Sequence, residues 1–563
     1  MFENTILKII YKGAVKQGNV ALNKLYSIAP NAVQYSNDLL KKLLNENKDT
    51  VYGKKYGFEN IGSYEEYKEK VPLTDYADYR ELVERISDGG EQNILTAEPV
   101  VHFCPTTGTT SAPKLIPIVN ESKQLSTDYT LPACMTIIDK ALKSDGKPGI
   151  TKGKGIFCIE IGELSKSPSG ITIGGVSGTS VRENIKIIEK ISASPREVIT
   201  PDAYLDSKYI HALFALKDRN ITWMASCYMT TLAGIMDCIE TRWQDICDDI
   251  ENGKLHDDVE MSDKTRESLN RKLTADPERA NELRAIFANG FGEPVIPKIW
   301  KDFCFVAAIG SGSFKIHKEK VKRFTGEKGV RYCNLVISSS ETLVAVADGC
   351  DSEDFILVPQ AAFFEFIPEN DSGSIKTIGE LKVGERYEVV VSTISGLYRY
   401  RLYDIVEVTG FLGQLPKLKF SHRANVFLNV AGEKTTEADL QRAINYFSEK
   451  TGIKVSDYCA FPDFSTEPGC YTVLVEPDET VDKSRISEYE KILEEGLCQT
   501  FGYEYERKVG NICPAKFILQ QRMTHVLYRE LQIMKGKSSN QLKPVRVLKT
   551  PEMKAFFLKL VEE

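Results

Sequence analysis

Residues 104–117 read Cys-Pro-Thr-Thr-Gly-Thr-Thr-Ser-Ala-Pro-Lys-Leu-Ile-Pro. Thr106, Thr107, Thr109, Thr110 and Ser111 surround Gly108, and Lys114 closes the run. Apolar stretches flank it, Pro99–Phe103 before and Leu115–Val119 after, so the segment reads as a loop between strands. Backbone amides and small hydroxyls around a glycine make a concave anion site, and a lysine adds charge. A nucleoside triphosphate needs that chemistry. The order is not Gly-x-x-x-x-Gly-Lys-Ser/Thr, so this is not a P-loop. The same residues also compose an ordinary Ser/Thr turn, and the rest of the chain has to decide between the two.

Two segments do so. Residues 335–342 read Leu-Val-Ile-Ser-Ser-Ser-Glu-Thr, and residues 396–411 read Gly-Leu-Tyr-Arg-Tyr-Arg-Leu-Tyr-Asp-Ile-Val-Glu-Val-Thr-Gly-Phe. A hydroxyl–glycine loop, a Ser-Ser-Glu, an Arg-rich strand ending in Asp404 and a following Arg423 stand in the order of adenylate-forming enzymes. The chain resembles that superfamily and, within it, the auxin-responsive Gretchen Hagen family of acyl-acid amido synthetases. The resemblance is carried by Tyr398-Arg-Tyr-Arg-Leu-x-Asp404, Val408-Thr-Gly-Phe411, Phe364-Glu-Phe-Ile-Pro368 and Gly432-Glu-Lys-Thr-x-Glu437. Ile299-Trp300, Gly310-Ser-Gly-Ser313 and Asn540-Gln-x-Lys543 add to it, so that it runs from Tyr52-Gly53 to Arg546.

The resemblance implies an α/β fold. A large multi-sheet adenylate-forming domain, a β-barrel plus α/β sheets, would occupy residues 1–423. A smaller, mobile α+β cap domain would occupy 424–563, with a hinge at Phe420–Asn425. It also implies ATP and Mg2+, and an acyl acid and an amino acid as small-molecule partners. Three departures stand out. Ile337-Ser-Ser-Ser-Glu341 lacks the aromatic of the family's Tyr-Ala-Ser-Ser-Glu, Tyr403 replaces a glycine before Asp404, and the proline of Gln541-Leu-Lys-Pro-Val-Arg546 is displaced by one.

The chemistry of such a reaction assigns roles. A carboxylate acylates poorly until attack on the α-phosphorus of ATP turns one of its oxygens into part of a good leaving group, AMP. The site must hold the triphosphate, spread its charge and align the carboxylate. The loop Thr106–Lys114 suits the β and γ phosphates, with Ser339 and Ser340 on the nucleotide side. Glu341 suits Mg2+, which bridges phosphates and keeps waters. Asp404 is an acceptor-only partner for the two ribose hydroxyls. Arg423 and Lys543 are the cations for phosphate and ribose oxygens in the first half-reaction. Val176, Cys227 and Tyr228, from the apolar stretches around 171–180 and 223–228, are the candidates for the acyl acid.

Each residue also has a structural reading. Glu341 fits an exposed strand-end acid, and Asp404 a cross-strand partner of Arg399 or Arg401. Lys543 fits a solvated tail with Lys535, Lys537 and Lys549. Arg399 and Arg401 read as structural, and His102 and His211 are base candidates by type only. An amine or a coenzyme A thiol satisfies the residue chemistry equally as acceptor, and a non-catalytic nucleotide binder is the third reading. The resemblance favours the amine.

Composition narrows the classes. A chain of 563 residues exceeds a typical single core, so two or more domains are expected. A net charge of -7 without a basic stripe argues against nucleic acid. The 13 cysteines show no Cys-x-x-Cys pair, which suits a reducing cytoplasm rather than a disulfide framework or zinc ribbon. The six histidines show no metal-ligand spacing. Lys8, Lys12 and Lys16 interrupt the N-terminal apolar run, so no membrane span is expected there, and no obligate protein partner is evident.

Periodicity predicts helices over 3–48, 64–71, 76–86, 436–451 and 484–501. It predicts strands at 151–161, 303–309, 332–337, 361–367, 386–393, 402–408, 469–475 and 515–519. Residues 221–240 read as strand then helix, and 241–292 as an exposed, charged helical insertion.

Overall fold

A computed structural model describes residues 2–106, 114–159, 161, 164–201, 205–369, 373–424, 427–430, 433, 435–466, 468–508, 512–539 and 542–561. The chain starts as helix because Leu7, Tyr11, Leu22 and Leu25 fall on one buried face of Phe2–Ile28. Gly18 lets this helix approach Leu131–Ser144: a Cβ there would lie 2.0 Å from the Pro132 carbonyl oxygen. A second helix, Ala32–Asn47, buries Leu39, Leu40, Leu43 and Leu44.

The chain divides into two compact units. The first holds residues 1–309, 321–402 and 406–420; the second holds 310–320, 403–405 and 421–563.

Three sheets organise the first unit. One is wholly parallel, in the order Lys154–Cys158, Ile221–Tyr228, Phe305–Ile309, Arg331–Cys333. A second pairs His102–Thr106 antiparallel to Lys114–Ile118 and parallel to Thr172–Ile173, with Ser165–Lys166 outermost. Lys114–Ile118 is thus an edge strand. Ile118 faces inward, accepting from the Val101 amide at 3.0 Å, so by alternation Leu115 and Pro117 present their backbones outward. A proline fits there because it withholds no ladder donor.

The third sheet has eight strands, from Lys376–Thr377 at one edge through Ala362–Pro368, Arg386–Thr393, Tyr400–Leu412, Leu415–Arg423, Phe355–Leu357 and Leu343–Ala347 to Val336–Ser338. The expected β-barrel is not found: the described strands form no closed sheet, and these edge strands are only 2 and 3 residues long.

The predicted strand at 332–337 is in fact two strands in different sheets. The Asn334 amide donates to the Ser352 carbonyl at 2.9 Å and marks the break. The helix expected at 76–86 is a short 3-10 turn, Tyr76–Asp78, followed by Arg80–Ser87. The charged stretch 241–292 is more than a solvated face. Ile246, Ile250, Leu269, Leu283 and Phe287 are buried, and Arg279 donates to the Leu216 carbonyl at 2.8 Å.

In the second unit, Val455–Asp463 runs antiparallel to Cys470–Pro477, which runs parallel to Lys516–Leu519. Alternate residues serve two cores. Tyr458, Ala460, Val473 and Val475 pack with Leu440, Phe447 and Leu493 of the helices Glu437–Thr451 and Ile486–Leu497. Cys459, Phe461 and Leu474 pack with Leu548 and Phe557. Thr436 caps the first of these helices and Gly452, at φ 74°, ends it, as the sequence predicts. The helix expected at 484–501 is two, Ile486–Leu497 and Phe501–Lys508. Among the described residues, no helix is long and apolar enough to cross a membrane.

Candidate active site

The hydroxyl–glycine loop joins the two strands of one hairpin, whose register ends at Thr106 opposite Lys114. Thr107, Gly108, Thr109, Thr110 and Ser111 lie outside the described residues, as does the side chain of Thr106. At the loop's exit, the Lys114 ammonium lies 5.5 Å from the centroid of the Tyr76 ring. At its entrance stands Cys104, which is buried. Its thiol lies 4.0 Å from the Pro105 carbonyl oxygen; burial, first of all, pushes it up from its usual range, and the Ser340 side chain, the Val176 backbone and the Glu341 charge act on it. One side chain beside the loop therefore gathers Val176, Ser340 and Glu341.

Ser339–Thr342 is the turn between Val336–Ser338 and Leu343–Ala347. Ser339 closes it: its hydroxyl accepts the amides of Glu341 and Thr342, both at 3.2 Å, and its own amide donates to the Thr342 carbonyl at 3.0 Å. Glu341 is held at the tip, half-buried, beside the Tyr400 phenol. Burial, then the neighbouring Glu341 carboxylate, push Tyr400 well above the ordinary phenol range, so the phenol stays neutral.

Cys227 and Tyr228 stand on another sheet, half-buried at the carboxyl end of the parallel strand Ile221–Tyr228. Carboxyl ends of parallel strands are where open α/β sheets take ligands. Val176 opens the helix Val176–Glu183 behind Gly175.

In the second unit, Asp404 accepts from Arg423 Nε at 2.7 Å; the two side chains are 11% and 40% exposed. The two other arginines of the motif bind other carboxylates. Arg399 binds Glu365, and Arg401 binds Glu388 at 2.7 Å. Tyr403, just before Asp404, has φ 59°, the left-handed region that favours glycine. Lys543 is exposed. The chain just after it is tied down, because Arg546 is buried, bonds Asp457 and the Tyr458 carbonyl, and sits 4.1 Å over the Tyr458 ring.

His102 donates to the Gly174 carbonyl at 2.6 Å, and His211 shares a 2.6 Å hydrogen bond with Ser194. Both are buried.

The order of these residues along the chain matches family models over most of its length: the GH3 family N-terminal domain at residues 21–330, the central domain at 355–423 and the C-terminal domain at 438–552. The chain belongs to the GH3 family. An indole-3-acetic acid-amido synthetase of Arabidopsis thaliana, GH3.4, is 26% identical to this GH3 chain over 95% of it and 92% of the relative. A jasmonoyl–L-amino acid synthetase of Oryza sativa subsp. japonica, GH3.5, is 28% identical over 89% and 90%. The solved structure of the GH3.15 acyl acid amido synthetase superposes with a TM-score of 0.84 at 22% identity, covering 96% of each chain, and so shares the fold.

Cys104, Tyr400 and Tyr76 are the members of this GH3 site that the sequence reading passed over. Cys104 and Tyr400 lie inside motifs already quoted, and their signal is that adjacency. Tyr76 carries no signal of its own.

Proposed function

We propose that this GH3 chain is an AMP-forming acyl-acid amido synthetase. It joins a carboxylic acid to ATP, releasing pyrophosphate, and passes the acyl group to the amine of an amino acid. In the first step a carboxylate oxygen bonds to the α-phosphorus and the bond to pyrophosphate breaks. In the second the amine nitrogen bonds to the acyl carbon, AMP leaves with the shared oxygen, and the nitrogen loses a proton.

The observation that carries this reading is the meeting of the loop entrance with the Glu341 turn through Cys104, Ser340 and Val176. Lys114 and the loop bind the β and γ phosphates. Asp404 orients the ribose through its hydroxyls, Arg423 holds Asp404 and spreads phosphate charge, and Lys543 stabilises the charge that develops as the acyl-phosphate bond forms.

Among the described residues no cluster of three or more His, Cys, Asp or Glu could hold a metal. Glu341 alone, half-buried and steadied by Tyr400, fits Mg2+ bound by one carboxylate together with nucleotide phosphates and water. When bound, that ion neutralises phosphate charge. Val176, Cys227 and Tyr228 line the way to the acyl acid.

The test is a screen of carboxylic acids for ATP–pyrophosphate exchange. AMP release with amino acids against coenzyme A then follows for any acid that exchanges. Exchange followed by amino-acid-dependent AMP release is the expected outcome. Release with coenzyme A alone would make the protein a thioester ligase, and no exchange with any acid would leave only a nucleotide binder.

A further inference from the structure

We propose that Tyr76 is a positioning residue that fixes the phosphate-binding loop's exit, with Lys114, relative to Glu341. This rests on the reading of the loop and Glu341 given above. Lys114–Ile118 is an edge strand, and Leu115 is its first residue after the loop to face outward. Both outward backbone groups of Leu115 meet the same phenol. The Leu115 amide donates to Tyr76 Oη at 2.8 Å, and Tyr76 Oη donates to the Leu115 carbonyl at 3.4 Å. A hydroxyl can do both because it is donor and acceptor at once. The phenol thus stands where a neighbouring strand would. The ring of the same residue carries Lys114 on its face, with the ammonium 5.5 Å from the centroid. Burial raises the phenol above its usual range, so the hydroxyl stays protonated and keeps its donor.

Tyr76 is itself fixed to the strand that serves Glu341. Asp75 and Asp78 form a reciprocal capping box around its turn. The Thr74 amide donates to the Arg399 carbonyl at 2.9 Å, and the Arg401 amide donates to the Thr74 carbonyl at 3.0 Å, straddling Tyr400. Thr74 Oγ1 and Tyr79 Oη donate to the Tyr398 carbonyl at 2.8 and 2.9 Å. The Tyr400 phenol lies beside the Glu341 carboxylate. One short segment therefore ties the cation at the loop exit to the carboxylate proposed for Mg2+, across two sheets that share no strand.

The test is Tyr76→Phe, which keeps the ring under Lys114 and deletes only the hydroxyl. In acid-dependent ATP–pyrophosphate exchange the KM for ATP–Mg2+ should rise about tenfold, the loss of one to two hydrogen bonds. The KM for the acyl acid and the rate of amide formation from synthetic acyl-adenylate should stay as in the parent. An unchanged KM for ATP–Mg2+ overturns the proposal. So does an equal rise in both KM values, which would mark a general structural role. If Tyr76→Phe does not fold, Asp78→Ala, which removes the acceptor of the Asp75 amide and opens the capping box, must show the same split in smaller measure; an unchanged ATP KM there also overturns it. Absence of exchange in the parent protein with every acid tried would defeat the functional reading instead, and hydrogen exchange at the Leu115 amide then reads Tyr76 directly. Faster exchange in Tyr76→Phe supports the clamp, and unchanged exchange removes it.

Discussion

Two arginine–carboxylate pairs lie close together in sequence, and they are built differently. Arg399 and Glu365 are 3% and 0% exposed. Arg399 Nε reaches both Glu365 oxygens at 3.1 and 3.0 Å, and its remaining nitrogens bond Glu365 again and the carbonyls of Lys68 and Val71. Tyr64 adds a donor to Glu365 at 2.9 Å. Arg423 and Asp404 share one bond, and the arginine is 40% exposed. Among the described residues only Oδ1 of Asp404 is engaged. A closed pair has spent its hydrogen-bonding capacity on the protein. The open one leaves Asp404 Oδ2 to a ligand. Both arginines stand in or near the same motif, so the contrast separates what that motif does for folding from what it does for chemistry.

The largest expected effect breaks the closed pair. Arg399→Met leaves a buried carboxylate without its partner and should cost about 3–5 kcal/mol, read as a fall in the urea midpoint. Adding Glu365→Leu should recover most of it. A single variant as stable as the parent would show that burial was not the point.

Next is Lys543, exposed like Arg423. Lys543→Ala should slow pyrophosphate exchange by about 3 kcal/mol, roughly a hundredfold, and leave amide formation from synthetic acyl-adenylate nearly intact. Equal slowing of both steps would remove Lys543 from the first half-reaction, and normal exchange would turn attention to Lys537.

Asp404→Ala should weaken ATP binding by about 1.5–3 kcal/mol while moving the melting temperature little. The loss should be smaller for 2′,3′-dideoxy-ATP, which lacks both ribose donors. Equal losses for the two nucleotides, measured by calorimetry, would return Asp404 to a structural role like that of Glu365.

The smallest effect concerns the residue in between. Tyr403 holds φ 59° without being glycine, at a cost of roughly 1 kcal/mol. Tyr403→Gly should relieve about that much in thermal denaturation and leave the ATP affinity within twofold. A large change in affinity would mean that the ring, and not only the backbone, serves the nucleotide.

Much of this was legible along the chain, for local reasons. The hairpin around the loop, the Thr436 and Gly452 ends of a helix, and the structural assignment of Arg399 and Arg401 all follow from residues close to the feature they explain. What was lost was long-range. Tyr76 meets Leu115 across 39 positions, through a hydroxyl that looks the same in sequence whether it faces solvent or an edge strand. The strand Val455–Asp463 was missed because it feeds cores on both faces, so its apolar residues do not alternate with polar ones. The barrel came from the resemblance alone, and the described strands form no closed sheet; the 332–337 strand failed for a reason in the sequence itself. A run of buried apolar residues tells that a strand is covered, not which sheet it joins.

The same edge has a consequence for how copies of this chain behave together. An exposed strand edge is an invitation to another chain, because unpaired amides and carbonyls template further strands and, in time, aggregates. Lys114–Ile118 offers almost nothing to such a visitor. Its first outward position is occupied by the Tyr76 hydroxyl and its second is Pro117, which has no amide hydrogen. The protein can therefore carry this sheet edge without the edge recruiting its own kind.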